Sequence, residues 1–382
     1  MLSILLIFAI SVEVCHSQTN GPVWPGRQPD GSMLLPNQWS LRPAGSRQIE
    51  LGDFPVNVAL TPDGRYAAVL HCGYSHHEVE AVDLVDGTVT CRTNVQEAFY
   101  GVTFSADGQR LYCSGASGED IHTFHFHEGQ LERTGNLRLH KPRDTGVPCG
   151  LAIDNAGEKL YAANLWSSRI SCVDLKTKSV SDVVLDTNAE TIPLTPQEAD
   201  DLDTRAATKR AWAAELARFS NTSGAFPYAC VLDPKRHRLY VSLWGAAAVA
   251  VLDTRTNLMI ARWETGQHPC EMVLSRDGKR LFVANANENT VSEIDTTTGR
   301  AIETLWATLF PDSPRGATPN SLALSPDEKT LFVANANINA IAVFDVSDPG
   351  RSRYGPVAGT RSLQTQNRQQ RLNRDSEKRP RS

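Results

Sequence analysis

The chain has 382 residues with 38 basic against 43 acidic side chains, and a net charge of −5 is too small to imply a nucleic-acid partner. Its hydrophobic content of 41% is that of a soluble protein, and eight cysteines in this length exclude a disulfide-built scaffold. The 26 glycines and 21 prolines suit a turn-rich, all-β chain.

Residues 1–14 are mostly apolar, with Leu2, Ile4, Leu5, Leu6, Ile7 and Phe8 at their centre. Cys15 and Ser17 put small side chains at the two positions a signal peptidase reads. About thirteen apolar-rich residues are too few to cross a bilayer as a helix, so no transmembrane segment is expected. Residues 1–17 therefore read as a secretory signal peptide, with the mature chain starting near Gln18 and periplasmic or extracellular. Residues 18–46 carry Pro22, Pro25, Pro29, Pro36 and Pro43 and read as an extended leader. Residues 47–51 read as a short strand that seals the end of a ring.

From there a unit recurs: a strand opened by Pro, a tight turn, a second strand, a turn, and a third strand closed by Asp. The marker residues are Pro148, Leu160 and Asp174; Pro227, Leu239 and Asp253; Pro269, Leu281 and Asp295; and Pro319, Leu331 and Asp345. Each set is spaced by twelve and then fourteen residues. An earlier copy, Pro55, Ala67 and Asp83, has two extra residues in its second turn, and another is Phe99, Leu111 and His125. With a fourth strand after each Asp, six four-stranded antiparallel units of roughly forty residues make a β-propeller over residues 47–350.

Between the third and fourth units, residues 187–225 are an insertion with a helix signature. Thr195 is an N-cap, Pro196 suits the first turn and Glu198 completes a capping box, followed by Ala206, Ala207, Ala211, Ala213 and Ala214. The segment 196–219 is expected to be helical and outside the blades, as a lid, a docking surface or a decoration. Residues 351–382 hold nine basic against two acidic residues, hence +7, which leaves −12 for the rest. Their polar composition reads as a disordered basic tail.

Residues 281–305, LFVANANENTVSEIDTTTGRAIETL, resemble the YVTN-type, or YncE-like, propeller repeat. Residues 35–348 resemble the propeller half of a two-part bacterial family in which such a propeller precedes a phosphoesterase domain of the alkaline phosphatase superfamily. The resemblance rests on Leu35-Pro36-Asn37-Gln38, on Gln48-Ile49-Glu50-Leu51-Gly52-Asp53-Phe54-Pro55 and on the six repeats. It implies a seven-bladed design, of which six blades are recognisable. It also implies a phosphoesterase partner, although that superfamily's metal-binding Asp/His motif is not found here. The sequence departs from the family pattern after Asp348-Pro349-Gly350. A missing seventh blade would leave the ring open and deprive packing residues such as Leu322 and Leu324 of a neighbour.

On the inner strands, Asn57, Gly101, Gly150, Ala229, Glu271 and Ser321 occupy one position, two residues after the opening residue, where the strands converge on the axis. Glu271 is the one acid among them and, with Asn57 and Ser321, is the candidate set for holding a ligand in the channel, the alternative being solvation by channel water. Cys149 and Cys270 follow opening residues, and Cys230 lies further along its strand. They form a candidate thiol cluster with no C-x-x-C pair. His122, His125 and His127 share one strand pair, and His71, His76 and His77 a neighbouring turn, without a placed third ligand for a metal. Asn221-Thr222-Ser223 matches a glycosylation sequon. No catalytic motif, cofactor motif or metal site emerges. The expected function is a secreted or periplasmic binding and scaffold module that takes a protein or small molecule at a propeller mouth. The alternative is a propeller enzyme of the lactonase kind.

Overall fold

The computed structural model describes residues 24–29, 31–34, 40–41, 49–74, 76–141, 146–185, 224–308 and 313–354. The signal segment, the insertion helix, the sequon and the tail beyond Tyr354 lie outside them. The chain divides into two compact units, Met1–Gln48 and Ile49–Ser382. In the first, Gly26–Arg27, Met33–Leu34 and Ser40–Leu41 pair as a small three-stranded sheet. The described part of the leader is thus paired as a sheet, with each pairing two residues long.

The second unit consists of six four-stranded antiparallel meanders, each paired in chain order. Their inner strands are Pro55–Leu60, Val102–Phe104, Pro148–Ile153, Pro227–Asp233, Pro269–Leu274 and Pro319–Leu324. They define blades one to six. The repeat's signature residues are turn chemistry. The carboxylate of Asp83 accepts from the N–H groups of Val85 and Asp86, Asp174 from those of Lys176 and Thr177, and Asp295 from those of Thr297 and Thr298. Asn289 and Asn339 take the left-handed conformation that closes the second turn, at φ of 56° and 49°.

Two expectations change at the ends of the propeller. Residues 49–51 are not a strand; Ile49 instead packs on Ala67, Val69 and Val82 of blade one. The fourth strand of blade six is Arg353–Tyr354, paired with Asp345 and Phe344, so the stretch read as tail contributes its first residues to the sheet. Tyr354 stacks on Phe344 with ring centroids 4.7 Å apart, and its hydroxyl donates to the carbonyl of Trp306. A strand this short has no alternation to betray it.

Each blade joins the next through one repeated contact. On the third strands, Val79, Ile121, Ile170, Val249 and Val291 occupy one repeat position and are completely buried. They face the next blade, whose inner strand supplies Val102, Leu151, Met272 or Leu322, or Cys230 at the third joint. The equivalent residue on blade six, Ile341, is 52% exposed, and the equivalent inner-strand residue on blade one, Val58, is 53% exposed. Among the described residues no apolar cluster joins blade six to blade one. The uncovered residues are therefore Ile341, Val58 and Leu60. Leu322 and Leu324 are packed against blade five.

Small residues near the axis have a steric cause. A Cβ on Gly150 would collide with the carbonyl oxygen of Tyr228 and lie 2.6 Å from Cα of Ala229, and one on Gly101 would meet Cys149 and Leu151. Gly150→Ala is expected to cost about 1–3 kcal/mol through overpacking against backbone that cannot rotate away. Chemical denaturation reads this directly, and an unchanged midpoint would contradict it.

Candidate functional site

At five of the six inner-strand openings the ladder slips by a bulge next to the Pro, as between Pro269 and Met272 and between Pro319 and Ser321. The residue before each of those prolines, Phe54, Val147, Phe226, His268 and Thr318, has a positive φ of 48–56°. Proline excludes the right-handed helical conformation for its predecessor, and a bulge re-aims the residues that follow. Together they turn the first side chains of each inner strand towards the axis and place Phe226 and His268 on one mouth, the end at which the inner strands begin.

The axis is filled there. Tyr100 of blade two and Tyr228 of blade four meet with ring centroids 4.5 Å apart, and Tyr100, Cys149, Tyr228 and Ala229 belong to one core cluster. Burial, followed by the nearby Glu271 carboxylate, pushes the Tyr100 hydroxyl far above its usual range. The Ser321 hydroxyl donates to Glu271 Oε2. Burial holds the Glu271 carboxyl above its ordinary value, with the Ser321 hydrogen bond acting in the opposite sense. Of the three channel residues expected from the sequence, the structure thus brings Glu271 and Ser321 together. Asn57 is bonded apart from them: its amide donates to the Tyr100 carbonyl of blade two at 2.9 Å and its oxygen accepts from Val58 N at 2.7 Å.

A raised pKa has a thermodynamic sign. Above the unfolded-state value near 4.5 the folded chain still holds the Glu271 proton, so stability falls as pH rises through the folded pKa. Glu293, also pushed up by burial, acts in the same direction. Glu271→Gln, which cannot ionise, is expected to flatten this fall. Thermal midpoints between pH 4 and 8 that decline as steeply in the variant would contradict the assignment.

The same mouth carries a row of rings that sequence reasoning missed. His268 stacks on Trp244 at 3.8 Å and 17°, Trp244 meets Phe226 edge-on at 6.1 Å, and Phe226 meets Trp166 edge-on at 5.6 Å. Trp166 and Trp244 follow the second strands of blades three and four. Trp166 is 62% exposed, whereas Trp244, Phe226 and His268 are half-buried. Burial pushes the His268 imidazole down, so it is neutral at pH 7. A half-buried aromatic surface that includes a neutral imidazole suits an uncharged ring-shaped ligand, and the imidazole can take up a proton there.

The other candidates separate. All described cysteines are free, and burial pushes the Cys230 and Cys270 thiols up to about 12 and the Cys149 thiol well above its usual range, so they are inert protonated thiols. His122 is buried and bonded to the Glu97 carbonyl at 2.6 Å, while His125 and His127 are exposed. Among the described residues no three His, Cys, Asp or Glu side chains form a metal-binding group. Open clefts of about 370 and 470 Å³ exist elsewhere, at Tyr74, His77 and Glu97 and at Pro234, Lys235 and Arg276. We place the site at the mouth, where Glu271 of blade five meets Ser321 of blade six and rings from blades three to five line up. No helix among the described residues is long and apolar enough to cross a membrane.

Residues 87–353 match the family model described as lactonase, 7-bladed β-propeller. The uncharacterized protein YncE of Salmonella typhimurium is 23% identical over 219 residues, covering 55% of this chain and 49% of that one. The chain thus spans about half the length of the curated relatives it matches. Among solved structures, hydrazine synthase of Kuenenia stuttgartiensis is similar with a TM-score of 0.57 and 16% identity, over 79% of both chains. A catalytically inactive virginiamycin B lyase from Staphylococcus aureus, solved with quinupristin, gives a TM-score of 0.56 at 14% identity, over 79% of this chain and 84% of that one. At these identities the structural likeness concerns the fold.

Proposed function

The chain belongs to the family of lactonase-type, seven-bladed β-propellers, and from that premise we propose that it is an exported binding module that holds a small, uncharged, ring-shaped polar ligand at the mouth lined by Trp166, Phe226, Trp244 and His268. The observation that carries this reading is the row of rings from Trp166 to His268 at the mouth where the inner strands begin, with Glu271 three residues after His268. The rings supply sequence-independent stacking area. The Glu271 carboxyl, which burial holds above its ordinary value, supplies a polar partner for the ligand. The resemblance to propellers joined to phosphoesterases adds such an enzyme as the protein partner to which the ligand is presented.

A second reading is favoured by His268 and by the family: the ligand is a sugar lactone, and the neutral imidazole activates water for ring opening. Calorimetric titration and hydrolysis assays with a panel of sugar lactones test both. Wild type should bind at least one lactone, more tightly below the Glu271 pKa than above it, and Glu271→Gln should remove that pH dependence. If His268→Ala abolishes turnover while retaining binding, the enzymatic reading holds. Binding without turnover in wild type leaves the module reading. No binding to any member would refute both.

A further inference from the structure

We propose that the chain binds a divalent transition-metal cation such as Zn²⁺ between blades two and three, through Glu119 Oε2, His140 Nδ1 and Asn164 Oδ1. Glu119 closes the second turn of blade two in the left-handed conformation, at φ 54°. Its side chain is 1% exposed. One oxygen, Oε1, accepts from Val147 N at 3.0 Å, while Oε2 is buried without a hydrogen-bond partner. His140 follows the outer strand of blade two, its backbone N–H bonded to the Glu119 carbonyl. Its Nε2 lies 2.9 Å from Asp182 Oδ2. That carboxylate stabilises the Nε2–H tautomer and leaves the Nδ1 lone pair free, 3.6 Å from Glu119 Oε2. His140 Nδ1, too, is buried without a hydrogen-bond partner.

The third group comes from blade three. Asn164 gives its amide N–H to Ser171 Oγ at 2.9 Å, which turns Oδ1 away, and that oxygen is buried and unpartnered. The corresponding Asn285 and Asn335 oxygens are unpartnered as well, so the amide alone is a feature of the repeat. What distinguishes blade three is the Glu119–His140 pair beside it. Gly146 forms the wall: a Cβ there would lie 2.5 Å from Glu119 Oε2 and 3.5 Å from Asn164 Oδ1, filling the space on which they converge.

A carboxylate oxygen, an imidazole nitrogen and an amide oxygen are three buried acceptors with no hydrogen-bond donor among the described residues. Buried groups of this kind call for a proton, a water or an ion. Zinc–ligand distances of about 2.0–2.2 Å put neighbouring ligands roughly 3.3–3.6 Å apart in a tetrahedron, which the Glu119–His140 separation matches. The Asp182–His140 contact is the outer-shell carboxylate that metal-bound histidines carry. Solvent supplies the fourth ligand.

The test uses the full purified chain, stripped with a chelator and re-dialysed against zinc, with metal content measured by mass spectrometry and stability by thermal melting. Wild type should retain one equivalent of zinc and melt higher with it. Glu119→Gln and Gly146→Ala should lose both effects. Asp182→Asn, at a partly exposed position that leaves the joint's apolar packing intact, should weaken zinc binding by about 10–100-fold. A double His125→Ala, His127→Ala variant removes the exposed histidines and should behave as wild type. If wild type holds no more zinc than Glu119→Gln and melts alike in zinc and chelator, the proposal is wrong and the pair is an imidazolium–carboxylate bridge.

Discussion

Glu80→Ala is expected to lower the unfolding free energy by about 1–3 kcal/mol, the cost of leaving buried polar partners without their acceptor. Glu80 and His71 are completely buried, with Oε2 and Nε2 3.4 Å apart. Glu80 Oε1 also accepts from Gly52 N at 2.9 Å and lies 3.2 Å from the Arg92 guanidinium. Truncation leaves His71 Nε2 and the Gly52 N–H without the carboxylate that faces them. Arg92, 48% exposed, can turn to solvent, so Arg92→Ala should cost no more than about 1 kcal/mol. The repeat itself provides a rescue. At the positions of His71 and Glu80, blade three has Asn164 and Ser171 and blade five has Asn285 and Ser292, and in both the amide donates to the hydroxyl at 2.9 Å. The double substitution His71→Asn, Glu80→Ser should therefore recover most of the loss. Urea unfolding of the four chains checks this, and equal small losses for Glu80→Ala and Arg92→Ala would contradict it.

Val291→Asp and Ile341→Asp are expected to differ by more than 4 kcal/mol, although the two residues hold one position of the repeat. Val291 is completely buried at the joint between blades five and six, where an unpaired carboxylate carries a desolvation cost of several kcal/mol. Ile341 is 52% exposed, so a charge there should change stability by no more than about 0.5 kcal/mol. The exposed apolar residues on blades one and six are also sites for association between molecules. Ile341→Asp and Val58→Asp should each reduce concentration-dependent self-association in sedimentation velocity. Equal destabilisation by Val291→Asp and Ile341→Asp would show that blade six is covered as blade five is.

Much of the fold was legible because the repeat writes the same turn chemistry into each copy. The Asp that closes the third strand in five of the six copies caps the turn that follows, and the Asn of the second turn in blades five and six takes its left-handed conformation, so their spacing could not drift. Glu271 and Ser321 were legible for a related reason, since alternation on converging strands fixes what faces the axis. Legibility stopped where neighbours come from different blades. His140 and Asp182 are 42 residues apart, and no period links them. Trp244 and His268 belong to different loops, a second turn and an inter-blade connection, whose stacking depends on bulges that the sequence marks only by Pro269. The Arg353–Tyr354 strand was hidden because two residues carry no pattern.

The claim that the mouth is a ligand site is tested most directly by intrinsic tryptophan fluorescence during titration with sugar lactones. Trp166 and Trp244 line the site, whereas Trp263 is buried in the core. The account predicts a saturable change with at least one lactone, abolished by Trp244→Phe and shifted to weaker binding by Glu271→Ala. A signal that persists unchanged in both variants, or no saturable signal with any lactone, would contradict it.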